Sequence, residues 1–323
     1  MHRNIFSIIK EKGLKNGISY IIKKLDGRYN MEDEISTLHY LLDKCCDMEK
    51  FPKAEGPLRA LQECDLELLK VFDVVCKKFD IKYWLNWGTL LGAKRHQGFI
   101  PWDDDMDVGV LREDYEKMLT ILPNYLKEYG IDVCELPNRK MMSIGFSFKH
   151  LETGLWLDVF PVDFSKESPN LLKKLNKYKK YYYKRKSDKS FDKLKIESKK
   201  TKLIKQCNDL DLDGSERIYF HGMEFDHVGL FFFEHSTIFP LNIISFEGYS
   251  FSCPNNVDKY LSTIYGKSFM KYPSHGIQKH SKNDGCLADR MNKHNINFED
   301  VIASLKDVYQ CIITNDVNKY GEF

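Results

Sequence analysis

The hydrophobic patterning of this chain predicts an α+β fold, with helices flanking a small mixed sheet. Apolar Leu58, Leu61, Leu68, Leu69, Phe72, Val75 and Phe79 recur at helical spacing. Short runs of strand type then follow at Lys82-Tyr83-Trp84-Leu85-Asn86, Met106 to Leu111, Ile131 to Glu135, Ser143 to Lys149 and Gly154 to Phe160. With 323 residues, 42% of them hydrophobic, the chain can bury one large core or two modest ones. No internal repeat interrupts this reading.

In chain order, Ile5, Ile8, Ile9, Ile18, Ile21, Ile22 and Leu25 alternate with lysines as a basic amphipathic helix, weakened near Gly13 and Gly17. Such a helix suits an anionic membrane surface, and equally a place against the body of the domain. A second helix is expected over Glu34 to Cys46. Pro52, Gly56 and Pro57 then break the chain, so the domain boundary is placed near residue 55: a helical extension over 1–55 and a main domain over 56–323. Within the main domain, helices are expected over Pro57 to Phe79, Leu90 to Arg95, Glu113 to Glu128, Val257 to Tyr265 and Phe298 to Asn315.

Net charge is only +2, but Lys173 to Lys205 holds fifteen Lys or Arg against three Asp or Glu, leaving the rest of the chain near −10. This basic insertion, about 166–206, carries Tyr178, Tyr181, Tyr182 and Tyr183, which could stack on nucleic acid. Its apolar Leu171, Leu172, Leu175, Leu194, Ile196, Leu203 and Ile204 instead favour one or two solvated helices with a packed side. Contact with a membrane or a phosphate-rich substrate is therefore preferred over nucleic acid. The nine cysteines include no CxxC pair and follow no hydrophobic leader, which predicts reduced thiols and a cytoplasmic protein, peripheral at the inner face of the plasma membrane if the basic segments engage it. No apolar run approaches the ~18 residues that span a bilayer.

The chemistry concentrates in Trp87-Gly88-Thr89-Leu90-Leu91-Gly92-Ala93-Lys94-Arg95 and the following Ile100-Pro101-Trp102-Asp103-Asp104-Asp105-Met106-Asp107-Val108-Gly109-Val110. Four carboxylates occupy five positions. Read as strand, Asp103, Asp105 and Asp107 share one face, with Asp104 and Met106 on the other. Burying such a set calls for a cation, and oxygen ligands without His or Cys favour Mg²⁺ or Mn²⁺ over zinc. Gly88 lets backbone approach a phosphate, and Lys94 and Arg95 lie downstream where a helix could aim them at one. A third acid is expected on a neighbouring strand. Asp158 in Leu155-Trp156-Leu157-Asp158-Val159-Phe160-Pro161 fits, although taken alone it is as readily a strand-end aspartate.

Gly88-Thr89, Asp105-x-Asp107 and Asp158 together resemble the nucleotidyltransferase-fold pattern. More specifically, WGTLLGAKRHQGFIPWDDDMDVGV followed by LDVFPVD resembles the LicD family, to which the fukutin-related proteins are similar. The likeness extends to Phe251-Ser252-Cys253-Pro254-Asn255, Tyr260-Leu261 and Tyr265-Gly266. It implies a nucleotidyltransferase-like mixed sheet with Asp105, Asp107 and Asp158 as metal ligands. It also implies transfer of a phospho-alcohol, most typically phosphocholine from CDP-choline, to a cell-surface glycan acceptor that can be lipid-linked.

On that reading Thr89 belongs to the substrate turn, and Asp103 or Asp163 is placed as general base by proximity in sequence. Gln278-Lys279-His280 resembles a closing basic segment, which makes Lys279 and His280 phosphate contacts or plain surface residues. His275, His280 and His294 lack zinc spacing with Cys286. A quaternary ammonium needs aromatic faces or carboxylates, and Trp102 and Trp156 adjoin the ligand segments, while at least two of the four tryptophans are expected in the core. Two other functions fit the same residues: a nucleotidyltransferase releasing pyrophosphate, and a non-catalytic membrane-associated glycan-assembly protein.

Overall fold

The structure is a computed structural model, described for residues 35–36, 40, 47–135, 142–148, 151–166, 169–185, 202, 216–222, 230–271 and 296–314. The helix expected over Ile5 to Leu25 lies outside these residues, as do Lys279 and His280 and most of the basic insertion beyond residue 185. The chain divides into two compact units, 1–48 with 270–276 and 49–269 with 277–323. Every element below belongs to the second.

Helix α1 (Gly56–Lys78) begins with Pro57 in its first turn, where a missing N–H costs nothing. Its buried Leu61, Cys64, Leu68, Phe72, Val75 and Cys76 form the apolar stripe expected from the sequence. The stripe packs against α7 (Phe298–Thr314), whose Val301, Leu305, Val308 and Ile312 repeat at the same helical period. Each such side chain contributes roughly 1.5–3 kcal/mol on full burial.

Strand β1 (Tyr83–Leu85) leads through Asn86 into α2 (Trp87–His96), three residues longer at its N-terminus than the Leu90 start expected from spacing. A turn then feeds β2 (Met106–Leu111), and α3 (Arg112–Lys127) covers the sheet before β3 (Ile131–Glu135), β4 (Met142–Phe148) and the long β5 (Leu151–Lys166). Helix α4 (Pro169–Arg185), β6 (Arg217–His221), β7 (Phe232–Glu234), the single turn α5 (His235–Ile238), the hairpin β8 (Asn242–Phe246) and β9 (Tyr249–Cys253), and α6 (Val257–Tyr265) complete the unit.

Among the described residues the main sheet has seven strands in the path β1-β2-β5-β4-β3, with β6 added to β5 and β7 to β6. Among the described residues β2 and β5 run parallel and the other pairs of this sheet are antiparallel. Val162 pairs with Leu111 on one edge of β5 and with His221 on the other, so β4 and β6 follow one another along a single edge. One face of the central pair is made by Met106, Val108, Val110, Leu157 and Val159, all fully buried. The opposite face carries Asp107, Asp158 and Phe160, and the site is built there.

In the basic segment, Leu175 is fully buried with Phe220 and Leu230, and Asn176 accepts a hydrogen bond from the Leu230 backbone at 3.2 Å. Lys173, Lys174, Lys177 and Lys180 face outward. The described part of this segment is thus a solvated helix with a packed side. Among the described residues, no helix is long and apolar enough to cross a membrane, and buried Cys64, Cys76, Cys253 and Cys311 form no disulfide.

Candidate active site

Parallel register places Asp107 beside Asp158, so their side chains leave neighbouring strands on the same face. Thr89 fixes the strand from below: its hydroxyl accepts the Asp107 backbone N–H at 2.8 Å. The Asn86 backbone N–H donates to the Asp107 carbonyl at 2.9 Å, joining the start of α2 to β2. Trp87 follows at φ +38, a left-handed conformation uncommon outside glycine. Its ring is wedged against Phe160, Phe231 and His221, with centroids 6.0, 5.6 and 4.8 Å away, and this packing holds the bend.

The bend turns the Gly88 N–H toward the Asp107 carboxylate. A Cβ at Gly88 would lie 2.6 Å from Asp103 Oδ2, so only glycine lets that carboxylate approach. The requirement at Gly88 is therefore carboxylate access, in addition to any phosphate that binds.

The strand-parity expectation is corrected by the structure at Asp104. Strand pairing begins only at Met106; Pro101 and Trp102 form a turn in which the Asp103 N–H bonds to the Ile100 carbonyl at 3.0 Å. Gln62 of α1 holds that turn, its amide donating to the carbonyls of Asp103 at 2.9 Å and Ile100 at 3.2 Å. Asp104 consequently joins the cluster instead of pointing away: one carboxylate oxygen from each of Asp103, Asp104 and Asp105 lies within 4.8 Å of the others.

Negative charge is concentrated here. Burial, then Asp105, Asp158 and Asp103, push the Asp107 carboxyl well above the usual carboxylate range, against the Gly88 hydrogen bond. Among the described residues the carboxylates close enough to share a cation are Asp103, Asp104 and Asp105, with Asp107 and Asp158 side by side on the adjoining strands. Such oxygen-only, His-free donors are of the kind that suits a hard divalent cation such as Mg²⁺ or Mn²⁺.

Arg95 is buried at the base of α2, with one guanidinium N–H on the Phe269 carbonyl at 2.8 Å and another on His96 at 3.0 Å. Burial pulls it down to about 10, against Tyr265 and Asp103, so it stays charged at neutral pH. Lys94 is on the outer side of the helix, paired with Asp258 of α6 at 3.0 Å. Asp163, the second general-base candidate, is five residues from Asp158 on β5 and so on the opposite face. There Arg112 grips both its oxygens at 2.8 Å, which removes it from the site.

Trp156 shares the Asp158 face by the same parity, and its ring covers Gly145 of β4. Trp102 stands in the acidic turn, edge-on to Phe51 at 5.6 Å and near His96. Trp84 and Trp87 are the two core tryptophans.

Several residues of the site escape sequence reasoning. Asn86 accepts from the Tyr260 hydroxyl at 2.8 Å and meets His221 Nε2 at 3.1 Å, while Trp84 donates to Tyr260 at 3.2 Å. This fully buried network joins α2, β6 and α6 under the bend. Its one local signal was a polar residue directly ahead of the glycine turn. Glu247 holds the chain leaving α2: its backbone N–H donates to the Gln97 carbonyl at 2.9 Å, and its carboxylate accepts from the Phe99 N–H at 3.2 Å and is gripped by Arg59 at 3.0 Å and Lys53 at 2.6 Å.

The family model for the LicD/FKTN/FKRP nucleotidyltransferase domain matches residues 80–201, the stretch holding the glycine turn, the acidic turn and Asp158. Over 64 residues the chain is 45% identical to the lipopolysaccharide cholinephosphotransferase LicD of Haemophilus influenzae, covering 20% of this chain and 24% of that protein. It is 37% identical over 120 residues to an uncharacterized protein of Rickettsia typhi, covering 35% and 38% of the two chains. The human ribitol 5-phosphate transferase FKRP is 44% identical over 57 residues, 18% of this chain and 11% of that one. The matches thus span well under half the length of these relatives. With its mixed sheet, paired strand aspartates and glycine bend, this chain is similar over residues 80–201 to the nucleotidyltransferase domain of the LicD/FKTN/FKRP family.

Proposed function

We propose that this domain is a metal-dependent transferase that moves a phospho-alcohol, phosphocholine from CDP-choline being the favoured donor, onto a hydroxyl of a cell-surface glycan. The observation that carries the reading is the side-by-side placement of Asp107 and Asp158, with the acidic turn folded over them and the Gly88 N–H directed into the set. The relatives named as cholinephosphotransferase and ribitol 5-phosphate transferase support the reaction class.

In this reaction the P–O bond to CMP breaks as a sugar oxygen forms a new P–O bond, and the hydroxyl proton passes to a base. Asp105, Asp107 and Asp158 would hold the cation. Bound Mg²⁺ or Mn²⁺ offsets charge on the transferring group. Asp103, with Gly88 leaving room for its carboxylate, is the base best placed to take the proton. Arg95 supplies a fixed positive charge behind the turn. Trp156, on the Asp158 face, offers a ring to the choline ammonium, and Trp102 is the second candidate. The outward lysines of α4 are suited to an anionic membrane surface or lipid-linked acceptor.

The test is product analysis with CDP-choline, CDP-ribitol and CDP-glycerol in the presence of Mg²⁺ and candidate oligosaccharides. Release of CMP with a phospho-alcohol on the acceptor is expected. Pyrophosphate release from a nucleoside triphosphate would establish nucleotidyl transfer instead, and no transfer with any donor would favour a scaffold.

A further inference from the structure

We propose that Asp65 is the buried ligand of a second divalent cation, held against the turn carboxylates Asp103, Asp104 and Asp105 on the α1 side of the site. The inference rests on the metal-dependent reading above, and adds to it a ligand from a helix outside the glycine–aspartate motif.

Asp65 is 1% exposed, and its Oδ2 has neither solvent nor a hydrogen-bond partner among the described residues. An aspartate in a helix interior is ordinarily solvated or paired, because an isolated buried carboxylate is costly. The side chain faces the acidic turn. Gln62, three residues earlier and on the same helical face, docks that face by its bonds to the Asp103 and Ile100 carbonyls. After burial, the charges acting on Asp65 are those of Asp105, Asp104 and Asp103.

The cations nearest along α1 are engaged elsewhere: Arg59 with Glu63 and Glu247, Lys70 with Glu67. The three turn carboxylates lie within 4.8 Å of one another and Asp65 faces them from outside that group, with no described Lys or Arg bonded to it. The donors are all oxygen, which selects Mg²⁺, Mn²⁺ or Ca²⁺. Asp105 acts on both Asp65 and Asp107, which ties this group to the Asp107–Asp158 pair. The second cation would fix the acidic turn to α1, making Asp65 a positioning residue for Asp103 and Asp105.

Bound Mn²⁺ is counted by equilibrium dialysis with electron paramagnetic resonance on the full chain without nucleotide, and melting is followed with and without the ion. Two bound ions are expected for the wild type. Asp65→Asn should hold one, melt higher than wild type without metal because a repulsive charge is gone, and lose at least half of the Mn²⁺-induced rise in melting temperature. Asp158→Asn should keep the Asp65 ion. If Asp65→Asn does not fold, Asp104→Asn is expected to lose the same ion. Unchanged Mn²⁺ stoichiometry in Asp65→Asn, or in Asp104→Asn where that variant must serve, overturns the second site. A wild type holding a single ion that only Asp158→Asn removes also overturns it, with the catalytic metal intact. A wild type holding none overturns both.

Discussion

Replacing Gly88 with alanine should separate stability from catalysis. In a helical turn Gly→Ala ordinarily stabilises by up to about 1 kcal/mol. Here the added Cβ would meet Asp103 Oδ2 at 2.6 Å, against the 3.4 Å where ordinary contact begins, and would stand 3.8 Å from Asp107 Oδ2. The carboxylate of Asp103 must retreat by about 0.8 Å, and a misplacement near 1 Å costs on the order of 100-fold in rate. Because the obstacle is the end of a side chain in a turn, rotation relieves the clash at little cost to the fold. We expect kcat/KM for CMP release from CDP-choline to fall about 10- to 100-fold, or roughly 1.4–2.7 kcal/mol of transition-state stabilisation. The melting temperature should stay at or above that of wild type. Wild-type turnover in Gly88→Ala would refute the argument that Asp103 must occupy this space, and a loss of activity matched by a large drop in melting temperature would reassign Gly88 to the fold.

Asp107→Asn and Asp158→Asn should each abolish turnover with excess Mg²⁺ while raising the metal-free melting temperature, since each removes one of several repelling charges; near-normal turnover in both would remove the metal-dependent mechanism. Glu247→Ala should cost on the order of 3 kcal/mol in denaturant unfolding, the low end for a broken buried pair, because the Arg59 side chain is 22% exposed. Burial raises the Glu247 carboxyl, but Arg59 and Lys53 outweigh it and hold the group below its ordinary value of 4.5. Its stabilisation is therefore present above that pH and lost as pH falls through the lower folded value, so the gap between wild type and Glu247→Gln should close on acidification; a gap constant with pH contradicts this. Trp156→Leu should weaken CDP-choline by roughly 0.5–2 kcal/mol while leaving CDP-glycerol nearly unchanged in calorimetry, and equal losses would assign the ring to packing.

The strongest sequence signals correspond to elements whose cause is local. Met106 to Leu111 alternates core and site residues within one strand, and both its ends are where the alternation placed them. Helix α6 occupies Val257–Tyr265 as expected, its N-terminus capped by Asn256 accepting from the Lys259 N–H at 2.9 Å. Where local pattern misled, it did so at Asp104, within the run Asp103 to Asp105. Continuing the strand backward assigned them alternating faces, whereas Gln62, forty-one positions away from Asp103, bends them into a turn.

By itself, then, the sequence determined the glycine turn, the acidic cluster, the strand bearing Asp107 and the family to which residues 80–201 are matched, because each rests on residues close together in the chain. Tertiary structure alone decided that Asp158 stands in register with Asp107, that Asp163 turns to Arg112 on the other face, and that Lys94 is drawn outward to Asp258. It alone brought Asp65, Asn86, His221 and Tyr260 beneath the site. The physical reason is that strand pairing and burial act between segments separated by tens to more than a hundred residues. A side chain's charge, partners and direction are set by those contacts, which no local spacing encodes.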